Sequence, residues 1–341
     1  MSLRLSPFVF LFLSLLSFVF AATTSKIVTS ADGTKIYADA TGDPKKQSIV
    51  FVHGFALSGV VFDRFFANKR LANYYLVRYD MRGHGRSDKP ATADAHTSIR
   101  YSQDFTAVMN GFGLKKPIFV GWYVPPSAIH KTPLLTLDSQ ESCGQPSYLA
   151  AIITDIVANN DVLPIAGAVA LDGSPGINAD IIPTIASPFL LNTLPAFNGN
   201  DDVTAALATR QSFVDGLFKD PAKVDFSIKA QYLGQTVVQP PAVSALVSMR
   251  PQDPTKLFAA GDAGKLPLQV LFGTSDRMVV ADGVVSTFAP HFGNKLYVSK
   301  VDGGHALFDD NPEGMIDQLT WFVQKVTTGT SPRSIIYARE H

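Results

Sequence analysis

Ser48-Ile49-Val50-Phe51-Val52-His53-Gly54-Phe55 is the stretch that decides the fold. After Ser48 it is a continuous apolar run, with no polar residue at every second position. A strand with one face in water alternates, because successive side chains point to opposite faces. An unbroken run suits a strand covered on both faces, as in a parallel sheet flanked by helices. Tyr75–Tyr79 is another buried-looking strand and Pro117–Val120, leading into Gly121-Trp122, a third parallel one, with further strands expected at Ile165–Leu171, Leu268–Phe272 and Lys295–Val298.

Helical spacing fills the intervals, over Phe62–Leu71, 100–113, 148–158 and Pro312–Val326. Within 100–113, Phe105, Val108, Met109 and Phe112 fall on one stripe. Upstream, Lys26–Thr29 and Lys35–Ala40 flank Ala31-Asp32-Gly33-Thr34 and read as a β-hairpin. Strands alternating with helices imply an α/β chain with a doubly wound, mostly parallel sheet. From 176 to 264 that alternation lapses into Pro-punctuated helical patches such as Val203–Phe218, expected to form an inserted helical cap. The core is then 22–175 with 265–327, and 328–341 a loose tail.

Composition excludes more than it selects. Of 341 residues, 46% are hydrophobic and 17% charged, and 29 Lys plus Arg balance 29 Asp plus Glu. No net field favours nucleic acid or an anionic membrane as a partner, and the balance says nothing positive about substrate. At the N-terminus, Arg4 precedes an apolar run from Leu5 to Phe20, shorter than the roughly 20 residues a spanning helix needs. Val19-Phe20-Ala21 supplies a cleavage site, so 1–21 reads as a secretory signal peptide, with an uncleaved membrane anchor as the alternative. Cys143 is the only cysteine and can form no internal disulfide. Neither metal-ligand spacing nor a phosphate-binding glycine loop is present, so no metal or other cofactor is expected.

Four motifs follow strand ends in order: His53-Gly54, Asp80-x-Arg82-Gly83-x-Gly85-x-Ser87, Gly273-Thr274-Ser275-Asp276 and Gly303-Gly304-His305. Together they resemble the α/β-hydrolase superfamily, in particular its cap-bearing esterases, cofactor-free haloperoxidases and epoxide hydrolases. Functional groups of such sheets gather outside the carboxyl ends of the strands. The resemblance implies that His305 is the base and Asp276 the acid that orients it, with Asp172 after Ile165–Leu171 as the rival acid. It also implies backbone oxyanion donors at Phe55 and Tyr148. Asp80 and Arg82 read as structural, as do His84, His96, His130 and His291.

The resemblance further implies a Gly-x-Ser-x-Gly elbow between strand and helix, where small neighbours let the backbone turn tightly. Gly121-Trp122 stands at its place, but Tyr123–Pro146 follows, with Pro125, Pro126, Pro133, Pro146 and Cys143. Joining Trp122 to Ser147 restores Gly-Trp-Ser-Tyr-Leu-Ala-Ala, with Leu149 where the family has glycine. Ser147 is therefore the expected nucleophile, ahead of Ser142, Ser127 and Cys143. Residues 123–146 are either translated intron or a genuine loop that separates strand from nucleophile. The implied function is a secreted serine hydrolase acting on an ester or related carbonyl bond of a small apolar substrate. A non-catalytic binding protein of the same fold and a haloperoxidase- or epoxide hydrolase-like enzyme are the alternatives, although no aspartate stands at the elbow for the last.

Overall fold

The expected parallel strands become the inner strands of an eight-stranded sheet, except Lys295–Val298, which becomes its half-exposed edge strand. A computed structural model describes residues 23–122 and 151–330, apart from 179, 194–196, 198–201, 249 and 251. The expected signal peptide, the 123–146 segment, Ser127, His130, Ser142, Cys143, Ser147 and Tyr148 lie outside the described residues.

Strands β1 (Thr24–Thr29) and β2 (Lys35–Thr41) form the antiparallel hairpin, its turn closed at Gly33 with φ +89°. The remaining strands are β3 (Ser48–Val52), β4 (Tyr75–Tyr79), β5 (Ile118–Trp122), β6 (Gly167–Leu171), β7 (Leu268–Gly273) and β8 (Leu296–Val301). Their order is β1-β2-β4-β3-β5-β6-β7-β8, antiparallel as far as β4 and parallel from there to β8. Every residue of β3, β4, β6 and β7 is buried, as the absence of alternation requires.

Helices α1 (Asp63–Phe66), α2 (Ser98–Phe112) and α3 (Ile152–Ala158) belong to the first half of the sheet. On α2, Tyr101, Phe105, Val108 and Phe112 make the buried stripe, and Gly113 ends the helix at φ +64°. Between β6 and β7 lie α4 (Ile182–Ile185), α5 (Pro188–Thr193), α6 (Val203–Gly216), α7 (Phe226–Thr236), α8 (Pro241–Ser248) and α9 (Thr255–Asp262). The chain closes with α10 (Ala281–Phe292), α11 (Leu307–Asp310) and α12 (Pro312–Thr328). Asn311 caps α12 by accepting from the Gly314 N–H, with Pro312 in its first turn.

Two expectations need correction. Phe62–Leu71 is not one helix: α1 is a single turn between two 3-10 turns. The Asn68 side chain accepts from the Arg70 N–H and starts a separate turn there. Phe62, Phe65 and Phe66 still bury their rings 5.4, 5.9 and 5.1 Å from that of Phe51, so the apolar spacing is satisfied without a long helix. The last helix also runs two residues past Val326, taking in Thr328 from the expected tail.

Candidate active site

At the carboxyl rim of the sheet, β3 ends in His53-Gly54-Phe55, followed by Ala56 with φ +57°. A left-handed alanine costs about 1–2 kcal/mol, and such strain collects at functional turns. The turn leaves the Phe55 N–H without an acceptor among the described residues. His53 is locked: its Nδ1–H donates to the Gly54 carbonyl at 2.7 Å and its Nε2 accepts from the Met81 N–H at 3.0 Å. Burial pushes its pKa down, so the ring is neutral.

The loop after β4 is a scaffold. Arg82 is completely buried and forks onto both oxygens of Asp104, at 2.7 and 2.6 Å, while also bonding Asp32 and the Ala95 carbonyl. Asp80 accepts from the Gly59 N–H at 2.7 Å and from the backbone and guanidinium of Arg86. Burial alone would raise the Asp80 pKa, but the Arg86 bonds prevail and hold it below the usual carboxylate range. His84 donates from Nδ1 to the Arg82 carbonyl at 3.1 Å and accepts at Nε2 from the Gln239 amide at 2.9 Å. Burial, then the neighbouring His53 ring at 5.1 Å, hold the His84 pKa well below the ordinary imidazole value.

Beyond β7 and β8 the pattern changes. Thr274 and Ser275 donate to the carbonyls of Val301 and Gly303, both at 2.8 Å, which carries the two strand ends outward together. Asp276 Oδ1 accepts from the Met278 N–H at 2.7 Å, so the carboxylate is fixed by its own turn. The Nδ1 of His305 lies 3.1 and 3.0 Å from the two Asp276 oxygens. Asp172 is not His305's partner; its Oδ1 accepts from the Gly273 N–H at 2.6 Å. An imidazole that donates from Nδ1 to a carboxylate keeps its lone pair on Nε2. That Nε2 is buried and has no hydrogen-bond partner among the described residues.

The His305 loop is held from three sides. The Trp122 indole N–H, at the end of β5, donates to the His305 carbonyl at 2.9 Å, with the rings 5.5 Å apart. The Ala306 N–H donates to the Leu217 carbonyl just past α6 at 2.7 Å. Asp310 Oδ2 accepts from both the Gly304 and Lys219 amides, at 2.7 and 2.8 Å. A Cβ at Gly304 would stand 2.4 Å from the Lys219 nitrogen, so only glycine permits this approach. Sequence reasoning missed Trp122, Leu217, Lys219 and Asp310 as supports of the His305 loop. Only the Gly303-Gly304 pair could have signalled the close packing, since glycine there lets the backbones approach.

Asp276, His305 and Phe55 thus share one rim, together with the last described residue before the expected nucleophile. Phe55, Met81, Trp122, Ile153 and Val247 line a small, mostly apolar cavity beside them. Among the described residues no group of three or more His, Cys, Asp or Glu could hold a metal ion, and no helix is long and apolar enough to cross a membrane.

Comparison with known proteins agrees with this architecture. Residues 47–122 match the family model described as alpha/beta hydrolase fold. A non-heme chloroperoxidase of Burkholderia pyrrocinia is 35% identical over 97 residues, 28% of this chain and 33% of that protein. "Probable oxidoreductase EphD" of Mycobacterium tuberculosis is 35% identical over 96 residues, 28% of this chain and 16% of that protein. The matched stretch therefore spans at most a third of these relatives' length. Among solved structures, an esterase from Rhodococcus sp. ECU1013 superimposes with a TM-score of 0.72 at 22% identity, covering 89% of this chain and 99% of that one. A bromoperoxidase from Bacillus anthracis gives 0.64 at 15% identity, covering 88% and 100%. The fold is therefore that of the α/β hydrolases, and residues 47–122 are similar in sequence to that family.

Proposed function

We propose that the protein is a secreted serine hydrolase that cleaves an ester or related carbonyl bond of a small apolar substrate. The observation that carries this is His305: a buried imidazole oriented by a carboxylate, its Nε2 left open at the end of β5. Ser147, arriving from beyond β5, attacks the carbonyl carbon while its proton passes to His305 Nε2. Asp276 holds the Nδ1–H and stabilises the imidazolium. The oxygen that gains the charge accepts from the Phe55 and Tyr148 amides, each worth roughly 3–4 kcal/mol in sites of this kind. The imidazolium then protonates the leaving alcohol, and water attacks the acyl–Ser147 ester by the same relay. An apolar cavity wall of Phe55, Met81 and Trp122 supports an apolar acyl group.

The test expresses the full chain and a form lacking Tyr123–Pro146, then measures p-nitrophenyl ester turnover and fluorophosphonate labelling. Labelling at Ser147 in the deletion form, abolished by His305→Ala, is the expected result. Labelling at Ser142 or Ser127 would assign another nucleophile. Silence of both folded forms would favour a binding protein, with Leu149 spoiling the elbow. Secretion predicts a mature N-terminus near Ala22 in the medium; a full-length, membrane-retained product would overturn it.

A further inference from the structure

The end of β6 carries a group that this reaction leaves unused. Asp172 follows β6 directly with φ +43°, a left-handed conformation that aspartate tolerates better than most residues. Its side chain is completely buried, and Oδ2 has no hydrogen-bond partner among the described residues. Oδ1 anchors the Gly273 N–H, while the Gly273 carbonyl accepts from the Asp276 N–H at 3.1 Å. Gly273 also packs on the base's loop so closely that a Cβ would stand 2.1 Å from the Gly304 carbonyl. The Leu307 amide, two residues past His305, faces the same carboxyl group.

We propose that Asp172 is a positioning residue that ties the Asp276 turn to the His305 loop. This builds on the hydrolase reading above. Asp172 does so as the uncharged acid, its proton on Oδ2. Burial raises its pKa well above the ordinary carboxylate value, and the charges of Asp276 after β7 and Asp310 on α11 push the same way. No lysine or arginine forms an ion pair with it among the described residues. A charge on Asp172 would face that of the neighbouring Asp276 in the interior, which favours the proton on Asp172.

Asparagine copies a protonated aspartate: its oxygen still accepts from Gly273, its NH2 replaces the Oδ2–H, and it tolerates the left-handed backbone. Long-range proton–nitrogen spectra of the full chain, with His305 identified against His305→Gln, read the ring directly. Asp172→Asn should keep the Nδ1–H tautomer and leave the His305 titration midpoint within about 0.3 pH units. Asp172→Ala should mix the tautomers and, in the active form, lower kcat about tenfold or more with KM little changed; Asp172→Asn should restore kcat to within about threefold. A midpoint lowered by about one unit in Asp172→Asn would mean an ionised Asp172 and overturn the idea. An Asp172→Ala protein with unaltered tautomer and kcat would overturn it equally. If Asp172→Ala does not fold, the Asp172→Asn midpoint still decides. The spectra need no turnover, so the expected spectra together with silence of both the full chain and the deletion form would sink the hydrolase reading and leave this one standing.

Discussion

His84 and His305 are both completely buried imidazoles on loops at the same rim of the sheet, and their bonding differs in one respect. His84 has both nitrogens engaged, Nδ1 with the Arg82 carbonyl and Nε2 with the Gln239 amide. His305 engages only Nδ1, and a carboxylate receives it. A saturated imidazole is a tie between elements; an imidazole with a carboxylate behind it and an open nitrogen ahead is free to accept a proton, as the proposed base must. Burial does not distinguish the two loops. Hydrogen-bond saturation does.

The largest expected effect breaks the comparison at His305. His305→Ala should lower ester turnover by about 1,000-fold or more, equivalent to about 4 kcal/mol of barrier, while urea midpoints move little. His84→Ala should do the reverse. It leaves the Gln239 amide with only the Gly83 carbonyl and the Arg82 carbonyl without its imidazole donor, which costs about 1–3 kcal/mol of stability, with turnover falling far less than in His305→Ala. A His84 variant that is stable but inactive would erase the distinction drawn here.

Next comes the anchor under the His84 loop. Arg82→Met keeps much of the apolar stem but leaves Asp104 buried without its cation, alongside Asp32. Breaking a buried pair on one side typically costs about 3–5 kcal/mol, which a urea melt would show as a large loss of midpoint. A loss below about 1 kcal/mol would mean that Asp104 simply takes up a proton, as the upward shift from its burial allows. Gly304→Ala probes the other loop more gently. Its methyl would meet the Lys219 nitrogen at 2.4 Å, and backbone cannot swing aside as a side chain can. A displacement of about 1 Å at His305 would lower kcat by about 100-fold with KM held.

These two loops also show what a sequence discloses. The strands were legible because burial on both faces leaves an unbroken run, and Asp276 and His305 because each follows a strand end. Asp80-x-Arg82 was legible as scaffold from its charges. The grip of Leu217 and Lys219 on the His305 loop was not, since backbone bonds between segments far apart in the chain leave no residue pattern. Phe62–Leu71 misled because one turn of helix flanked by 3-10 turns buries the same phenylalanines as a long helix would. Ser147 rests on sequence register alone, outside the described residues.

The smallest effect is a pH dependence, and its sign separates two buried groups. Burial holds His84 and His53 neutral in the folded protein, with pKa values below the model-peptide 6.5. The unfolded chain therefore binds more protons than the native one as pH falls. The stability tied to the neutral rings is complete above pH 6.5 and declines below it, toward the folded pKa. Each such ring contributes a slope of at most about 1.4 kcal/mol per pH unit. Asp172 runs the other way: its pKa is raised on folding, so its neutral form favours the native state at acid pH, and that contribution is lost as pH rises from 3.8 toward its folded value. Relative to the parent chain, His84→Gln should thus gain stability as pH falls from 7 to about 5, whatever its offset at neutrality, because one proton-binding difference is gone. Asp172→Asn should instead gain as pH rises over the same range. Urea midpoints at three pH values for the three proteins are enough. Parallel curves for His84→Gln and the parent would mean that His84 is already charged when folded, a state its donor Gln239 amide opposes.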